Sequence, residues 1–410
     1  MIAMKNNESF QYRILLALTG LVVLFPVSCN YIMEGGIIGE WVARMCELSE
    51  GGSPGGFPLF ASAEAIASTG IPANGMDSNL WFFLPALVYR LGNNLVFAYR
   101  SYMLAIQAGT LAASILLFGR IFSHSESKLP VFFGVLLYMT CPYRIYVCYD
   151  LGDLSQTAAW MLLPVYLWAI LGLLQKEGNQ IWNLTAAALS LAGIGYGDTV
   201  FFLIAAGVTL PSGLAKRRLS VLIAPIAGSL LFLPGLYRLF QYLFRNGFQD
   251  LNMPLGSIMP KGYPLGSYFS SYAFREGHPG MGLGMVICLL TGIWLFFVTG
   301  RKPSMQCKVF TGTAAFFILL SYIGFPWDYF QRLGDWALKL ISLIETPAIF
   351  FGMAYLFLCV PAASAIKRIR QYENKTAAYA VPLLVMLACY GICIYQCNNL
   401  TYTRPPLALP

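Results

Sequence analysis

The stretch that organises the chain is CPYRIYVCYDLGDLSQ, which runs from Cys141 to Gln156 between two apolar runs. These are PVFFGVLLYMT (Pro130–Thr140) and TAAWMLLPVYLWAILGLL (Thr157–Leu174), each long enough to cross a lipid bilayer or to complete a crossing. An unpaired polar group beside hydrocarbon costs about 2–4 kcal/mol even on lenient insertion scales. Two carboxylates, one arginine and three tyrosines in a turn at the membrane edge therefore indicate a site for an anionic group. The alternative is an interfacial loop in which the tyrosines and the arginine only anchor the helix ends.

The composition excludes a soluble globular protein. Of 410 residues, 58% are hydrophobic, 15% are aromatic and 11% are charged, whereas about a quarter of the residues in soluble domains are charged. The alternating segments of about ten residues that are typical of β-barrels are absent. The basic residues lie in short loops rather than on one face, so we expect no nucleic-acid partner. The sequence predicts an all-α, polytopic integral membrane protein.

Apolar runs predict eleven membrane spans, each near the ~20 residues that a bilayer requires. They lie at about 13–33, 95–118, 129–147, 156–174, 180–196, 199–214, 219–238, 281–299, 308–324, 346–365 and 377–396. A further apolar piece, Leu80–Leu91, contains Pro85 and has only about 12 residues, fewer than a crossing needs. We expect this piece to be interfacial or re-entrant.

The distribution of charge supports this count and sets the orientation. With the N-terminus in the cytoplasm and Leu80–Leu91 not spanning, the inner loops hold 15 basic and four acidic residues. The outer segments then hold 11 basic and 14 acidic residues. This partition obeys the positive-inside rule. We therefore expect one domain over residues 1–410 in the cell membrane, with large outer loops at 34–94, 239–280 and 325–345.

Two outer segments have the pattern of amphipathic helices. In Ile37–Glu50 the apolar face carries Trp41 and the polar face carries Glu40 and Arg44. In Trp327–Glu345 one face is again rich in tryptophan and the other is charged. Helices of this kind lie at a membrane interface.

The cysteines favour packing over metal binding. Their spacing has no zinc-type pairs, and Cys389, Cys393 and Cys397 repeat every fourth residue on one face of the last helix. Cysteine in such a position packs as a small apolar side chain.

The polar groups predicted at the outer face suit chemistry on a lipid-linked substrate. Such an enzyme needs a cation for the phosphate and a carboxylate to take a proton from the acceptor hydroxyl. Arg144 could supply the cation, and Asp153, Asp150, Glu40 and Glu34 are the candidate bases, in that order. Asp150 and Asp153 on one helical turn would repel each other, which suits either a general base or a divalent metal pair. No pattern indicates a cofactor. Charged residues at mid-membrane depth are expected to be absent, which argues against an ion-coupled transporter.

A family resemblance rests on the order of these features. An amphipathic helix after the first span precedes a Gly/Pro-rich loop at 51–58 and then a Pro-containing aromatic segment. Within the organising stretch, Pro142-Tyr143-Arg144, Tyr149, Gly152 and Pro164 match the pattern Pro-Tyr-Arg, Tyr, Gly, Pro. Leu340–Leu356 is similar to an external helix followed by a Pro-initiated span. The chain thus resembles the GT-C class of polyprenyl-linked glycosyltransferases, and in particular its bacterial YfhO-like branch.

The resemblance implies a fold, a substrate class and a set of binding residues. It implies transfer of one sugar from a polyprenyl-phosphate donor to an external glycan or lipid acceptor. The expected substrate-binding residues are Arg144, Tyr143, Tyr149, Gln156, Glu345 and His278.

The chain departs from the family at several positions. Leu151-Gly152 and Gln156 stand where the family has Arg-Gly and Glu, and Glu345-Thr346-Pro347 stands where it has Gln-Phe-Pro. Isoleucine and Glu40-Trp41 stand where it has Asp and His after the first span. Catalysis in this chain would therefore depend on Glu34, Glu40, Asp150 or Asp153. The alternatives are a non-catalytic GT-C-like protein that binds lipid-linked glycans, and a flippase or exporter of such lipids.

Overall fold

The computed structural model describes residues 2–50, 78–123, 125, 127–244, 261–269, 279–300, 302–344, 346–372 and 374–407. The all-α prediction is confirmed, because these residues form helices and contain no strand beyond two isolated bridges. The α-helices in chain order are α1 Ile2–Val23, α2 Ile38–Glu50, α3 Phe83–Gly92, α4 Leu95–Ile121, α5 Leu129–Met139, α6 Pro142–Ile145, α7 Leu154–Gln175, α8 Gln180–Gly197, α9 Thr199–Lys216, α10 Leu219–Leu231, α11 Leu233–Phe244, α12 Leu265–Phe269, α13 Leu283–Thr299, α14 Met305–Ser321, α15 Trp327–Phe330, α16 Asp335–Ser342, α17 Ala348–Arg370 and α18 Lys375–Thr403. A π-helix, Tyr146–Leu151, follows α6, and 3₁₀ turns lie at Phe25–Ser28, Leu80–Phe82 and Gln331–Leu333.

Several of these helices are long and apolar enough to cross a membrane. Four single helices, α4, α7, α17 and α18, have the length and hydropathy of a membrane span. The number rises to six if each of two bent helix pairs is counted as one span. The bent pairs are α5 with Pro142–Leu151, at 41°, and α10 with α11, at 79°. The described residues therefore contain four to six apolar spans by this measure, and the predicted count of eleven is not reached.

The surface of the bundle agrees with a lipid environment. Large apolar side chains on the outward faces of the helices are more than half exposed, for example Leu104, Leu290, Phe297 and Leu384. Soluble monomers rarely display such a surface over their whole circumference.

Helix α17 is the centre of the bundle. Eighteen of its 23 residues are buried, and it packs against α5, α13, α14 and α18. Gly352 on α17 allows a close approach to the organising stretch, because a Cβ there would lie 2.5 Å from the ring of Tyr143. The cysteines Cys389, Cys393 and Cys397 of α18 are buried in the same interior, which confirms the prediction that they pack.

A proline inside α7 leaves one backbone carbonyl without its helical donor, and a side chain of α5 replaces that donor. Pro164 lies inside α7 and has no N–H, so the carbonyl of Trp160 lacks its helical donor. The hydroxyl of Tyr138 donates to that carbonyl at 2.6 Å. In an apolar interior each backbone group needs such a partner, and α5 therefore supports the proline of α7.

Each of the two predicted interfacial helices differs from expectation: the first is covered by protein, and the second is divided. The first is present as α2, but its apolar face packs on the protein, where Trp41 stacks on Phe82 with the ring centroids 4.8 Å apart. Arg44, predicted on the polar face, is also buried, with its guanidinium over the Trp41 ring. The second is not one helix, because Gly334 has a φ of +130° and separates α15 and the 3₁₀ turn from α16.

The chain before α2 docks on the organising stretch through backbone hydrogen bonds. The N–H of Gly36 donates to the carbonyl of Asp150 at 3.0 Å, and the N–H of Ile37 donates to that of Leu151 at 2.9 Å. Gly35 permits this contact, because a Cβ there would lie 2.6 Å from the Asp150 carbonyl oxygen. Gly152 has a φ of +70°, and its missing Cβ leaves room for Ile38.

We expect Gly35→Ala and Gly152→Ala each to destabilise the protein by about 1–3 kcal/mol, because the added methyl group overlaps atoms that are fixed by the backbone. Gly207→Ala is the matched control. It lies inside α9 with nothing within 4 Å of the added carbon, and alanine there should stabilise the helix by up to about 1 kcal/mol. Thermal unfolding of the purified chain in detergent measures all three. Equal midpoints for the Gly35 variant and the control would contradict the close docking.

Candidate functional site

Three distant segments meet at one end of the bundle, which we name the motif end. They are residues 32–37, residues 149–153 and residues 404–407. Besides the two bonds from Gly36 and Ile37, the N–H of Glu34 donates to the carbonyl of Pro405 at 2.8 Å, and the N–H of Leu407 donates to that of Ile32 at 2.8 Å. The predicted acids Glu34 and Asp150 are thereby brought into one backbone network, with the C-terminal segment as its third member.

Asp150 is committed to an ion pair with Arg404. The Arg404 Nε donates to Asp150 Oδ1 at 2.9 Å, and its Nη2 donates to the same oxygen. The carboxylate side chain is 8% exposed and the guanidinium side chain is 39% exposed. Arg404 therefore ties the end of α18 to the π-helix and neutralises a buried charge.

Asp153 and Asp198 are held together by Gln156. Asp153 is the N-cap of α7, and its Oδ1 accepts from the Gln156 N–H at 2.9 Å. Asp198 is the N-cap of α9, where Oδ1 accepts from the N–H groups of Val200 and Phe201. The Nε2 of Gln156 donates to Asp198 Oδ2 at 2.8 Å. One amide side chain thus joins the N-termini of two helices, both of which carry partial positive charge.

The expected repulsion between Asp150 and Asp153 is wrong for a structural reason. Gly152 lies between them in the left-handed conformation and ends the π-helix. The two carboxylates therefore belong to different elements. Asp150 pairs with Arg404, whereas Asp153 caps α7.

Arg144 lies inside the bundle and not at its edge. Its side chain is 1% exposed. The Nη1 donates to Gln107 Oε1 at 2.5 Å, and the Nη2 donates to the carbonyl of Met139 at 2.6 Å. Gln107 is in the middle of α4, and its amide nitrogen in turn lies 3.6 Å from the sulfur of Cys148. A charged side chain is therefore buried among the helices of the bundle.

The partners of Arg144 are neutral. Within the described part of the chain no carboxylate forms an ion pair with it, and its Nε is buried without a hydrogen-bond partner. Transfer of a cation into an apolar interior is costly unless it is paired. Arginine is almost never fully buried unless it is paired, so this environment makes Arg144 a candidate functional residue.

Buried polar atoms without partners concentrate in this stretch. Nine such side-chain atoms occur in the described residues, and four of them belong to residues 144–160. They are Arg144 Nε, Ser155 Oγ, Gln156 Oε1 and Trp160 Nε1. Native proteins leave few buried polar atoms unsatisfied, and those that remain often mark functional sites.

Tyr149 and Tyr143, two of the three tyrosines of the stretch, are buried in the fold. The Tyr149 hydroxyl donates to the carbonyl of Val23 at 2.8 Å and fastens the end of α1. Tyr143 packs among Tyr146, Trp160 and Gly352 and is almost fully buried. In this conformation neither side chain faces the solvent.

The remaining predicted residues occupy different positions. Glu34 is exposed, and Glu40 is half-buried in the first turn of α2. Ile38 packs against Gly152, so the start of α2 lies beside the residue that precedes Asp153. Glu345 and His278 lie outside the described residues.

Sequence reasoning missed Gln107 and Arg404 as partners of the stretch. A lone amide inside an apolar 27-residue helix was a signal for Gln107, because a buried amide needs a hydrogen-bond partner. No local signal connects Arg404 with Asp150, which lies 254 residues earlier in the sequence.

The structure and the comparisons with known proteins add no support for a metal site among the described residues or for the family resemblance. No group of three or more His, Cys, Asp or Glu side chains that could hold a metal ion occurs among the described residues. No family model, no curated protein and no solved structure matches the chain.

We expect Gln107→Leu to destabilise the protein by about 3–5 kcal/mol, because it removes one partner of a buried charge. The double variant with Arg144→Met should recover much of that loss, because both polar groups are then replaced by apolar ones. Unfolding midpoints of the parent, the two single variants and the double variant form a double-mutant cycle. Gln11→Leu, at an exposed position of α1, is the matched control. Additive effects in the cycle would show that Arg144 and Gln107 do not act as a pair.

Proposed function

We propose that this chain is a membrane-embedded glycosyltransferase of GT-C-like architecture. It would move a sugar from a polyprenyl-phosphate donor to a glycan or lipid acceptor at the motif end. The observation that supports this most is the cluster of Asp153, Gln156 and Asp198 at the N-termini of α7 and α9. It combines carboxylates with the unpartnered oxygens Ser155 Oγ and Gln156 Oε1. Sugars are recognised by such fixed hydrogen-bonding groups, and the apolar helices beside the cluster suit a polyprenyl chain.

The proposed topology has eleven spans, a cytoplasmic N-terminus and an external motif end. Beyond the four long helices and the two bent pairs, it requires α1, α8, α9, α13 and α14 as further crossings. These five are shorter or less apolar than the four helices that pass alone. The clusters Lys216-Arg217-Arg218 and Lys367-Arg368 would then face the cytoplasm, in accord with the positive-inside rule.

Asp153 is the strongest candidate for the general base. Asp150 is neutralised by Arg404, and the Asp198 carboxylate already accepts three hydrogen bonds. Asp153 would take the proton of the acceptor hydroxyl. The oxygen then attacks the anomeric carbon, and the bond from that carbon to the donor phosphate breaks, with the electron pair leaving on the phosphate.

The cation that meets the donor phosphate is better assigned to Arg404 than to Arg144. The two Nη groups of Arg144 already donate to Gln107 and Met139, and the side chain is buried. A phosphate would have to displace these bonds to reach them. Arg404 also donates to Asp150, but its side chain is 39% exposed, so a phosphate could meet it from outside the bundle. Arg144 would then position the stretch.

A flippase for lipid-linked glycans is the second candidate function. The bend between α5 and Pro142–Leu151, with Arg144 buried beside it, favours this function. Broken helices with charged groups near the membrane centre are typical of transporters. A non-catalytic protein that binds lipid-linked glycans would show neither transfer nor lipid movement.

One experiment separates these functions. The purified chain is reconstituted into liposomes that contain a radiolabelled polyprenyl-phosphate sugar and a hydroxyl-bearing glycan acceptor. Release of sugar to the acceptor supports the transferase. Movement of the labelled lipid between leaflets without sugar release supports the flippase, and binding without either supports the non-catalytic protein.

We expect Asp153→Asn to lower the rate of sugar transfer by about 10²-fold or more, because the amide keeps the size of the side chain and removes the proton acceptor. Glu40→Gln, Asp150→Asn and Glu34→Gln test the other acids in the same assay. Asp335→Asn is the control, because Asp335 is an exposed acid on α16. Near-normal transfer in all four variants, with intact folding, would exclude these acids as the base.

A further inference from the structure

A cavity lies at the end of the bundle opposite the motif end, and we name it the basic cavity. It is half-open, has a volume of about 380 Å³ and is formed by the end of α4, the start of α14 and the end of α17. This volume lies within the range of small-molecule pockets, about 300–1,000 Å³. Among the described residues, its lining includes Lys302, Lys367 and Arg368 and no acidic residue.

The cations of this cavity differ from a neighbouring arginine at the same end. Arg120 is paired with Glu177 at 3.9 Å and covers the Trp168 ring. Among the described residues, no carboxylate pairs with Lys302, Lys367 or Arg368. The positive-inside rule explains basic residues at this end of the bundle, but it does not require them to line one cavity.

The cavity also carries neutral hydrogen-bond donors. Ser304 is the N-cap of α14, and its Oγ accepts from the N–H of Cys307 at 3.3 Å. The hydroxyl of Ser304 and the positive end of the α14 dipole thus lie at the lining. Ser125 Oγ is buried there without a hydrogen-bond partner. Gln306 and Gln371 supply amide groups.

One of the cations, Arg368, is held by a contact between helices. The Nη2 of Arg368 donates to the backbone carbonyl of Lys302 at 3.2 Å, which joins the end of α17 to the segment before α14. The Cys307 thiol lies 3.1 Å from Ser364 Oγ between the same two helices. The cavity is therefore bounded by packed helices and not by a single loop.

We propose that the basic cavity binds a phosphate group. Three cations without acidic partners, hydroxyl and amide donors and one helix N-terminus match the charge and the acceptor oxygens of that group. The phosphate belongs either to a lipid headgroup or to a soluble compound, since the cavity lies at the end of helices that are apolar enough to be embedded. This site is separate from the motif end and does not depend on sugar transfer.

Equilibrium binding to the full chain in a neutral detergent tests the proposal. The probes are dioctanoyl phosphatidic acid, inorganic phosphate and, as a zwitterionic control, dioctanoyl phosphatidylcholine. Binding of phosphatidic acid alone assigns a lipid headgroup, and binding of inorganic phosphate as well assigns the phosphate group itself. Binding of neither, or equal binding of phosphatidylcholine and phosphatidic acid, overturns the proposal.

Charge-removing variants locate the site. The double variant Lys367→Gln with Arg368→Gln should weaken binding about tenfold or more, because it removes two charge-assisted hydrogen bonds. The single variant Lys302→Gln should weaken it about two- to fivefold, since this side chain is exposed and its backbone bond to Arg368 is retained.

The matched control removes the same charge outside the cavity. Lys308→Gln with Lys375→Gln changes two exposed lysines at the same end, neither of which lines the cavity. Its affinity should stay within about twofold of the parent. A loss equal to that of the Lys367 and Arg368 variant would indicate general attraction to a basic surface and would overturn the site. If the double variant fails to fold, the Lys302 variant and the control still decide the question.

Discussion

The structure around the organising stretch depends on the hydrogen bond that Arg144 donates to a backbone carbonyl at the end of α5. Helix α5 ends at Met139 inside an apolar bundle, where backbone carbonyls have no water to bond with. Arg144 donates to the carbonyl of Met139, and Thr140 donates through both its N–H and its hydroxyl to that of Leu136. The chain can therefore turn within the bundle without leaving these two acceptors unpaired. Gln107 completes the arrangement by accepting the other arm of the guanidinium.

The polar side chains of the stretch are divided between the interior of the bundle, where Arg144 and Asp150 lie, and the half-buried start of α7, where Asp153 lies. Apart from the half-buried Tyr146, the residues from Cys141 to Asp150 are buried. They hold α1, α4 and α18 through Tyr149, Arg144 and Asp150 in turn. The left-handed conformation of Gly152 then reverses the chain, and Asp153 emerges as the cap of α7. The buried framework and the proposed base are thus adjacent in sequence but lie in different environments. A variant of Arg144 or Asp150 would act on the framework, whereas a variant of Asp153 would act on the half-buried cluster of Asp153, Gln156 and Asp198.

The sequence predicted the helices well because their signal is local. The run at 180–196 corresponds to α8, and Asn179 and Asp198 lie at its ends as caps. Prediction failed where the deciding interaction is distant or depends on one dihedral angle. Gly334 divides the helix expected at 327–345, and the burial of Arg144 depends on Gln107, which is 37 residues away. Local hydropathy cannot distinguish an arginine at the membrane edge from one that is covered by a neighbouring helix.

The partition of charge between the two ends of the bundle connects the two proposed sites. At the motif end Asp150, Asp153 and Asp198 are fixed by the fold, through Arg404 or through a helix cap. At the opposite end the cations around the basic cavity bond to a backbone carbonyl but to no acid in the described part of the chain. If basic residues served only to orient the chain, lysines on exposed turns would be enough. Their convergence with Ser304 and Ser125 on one cavity requires a further reason, and an anion that the fold itself does not supply is the simplest one.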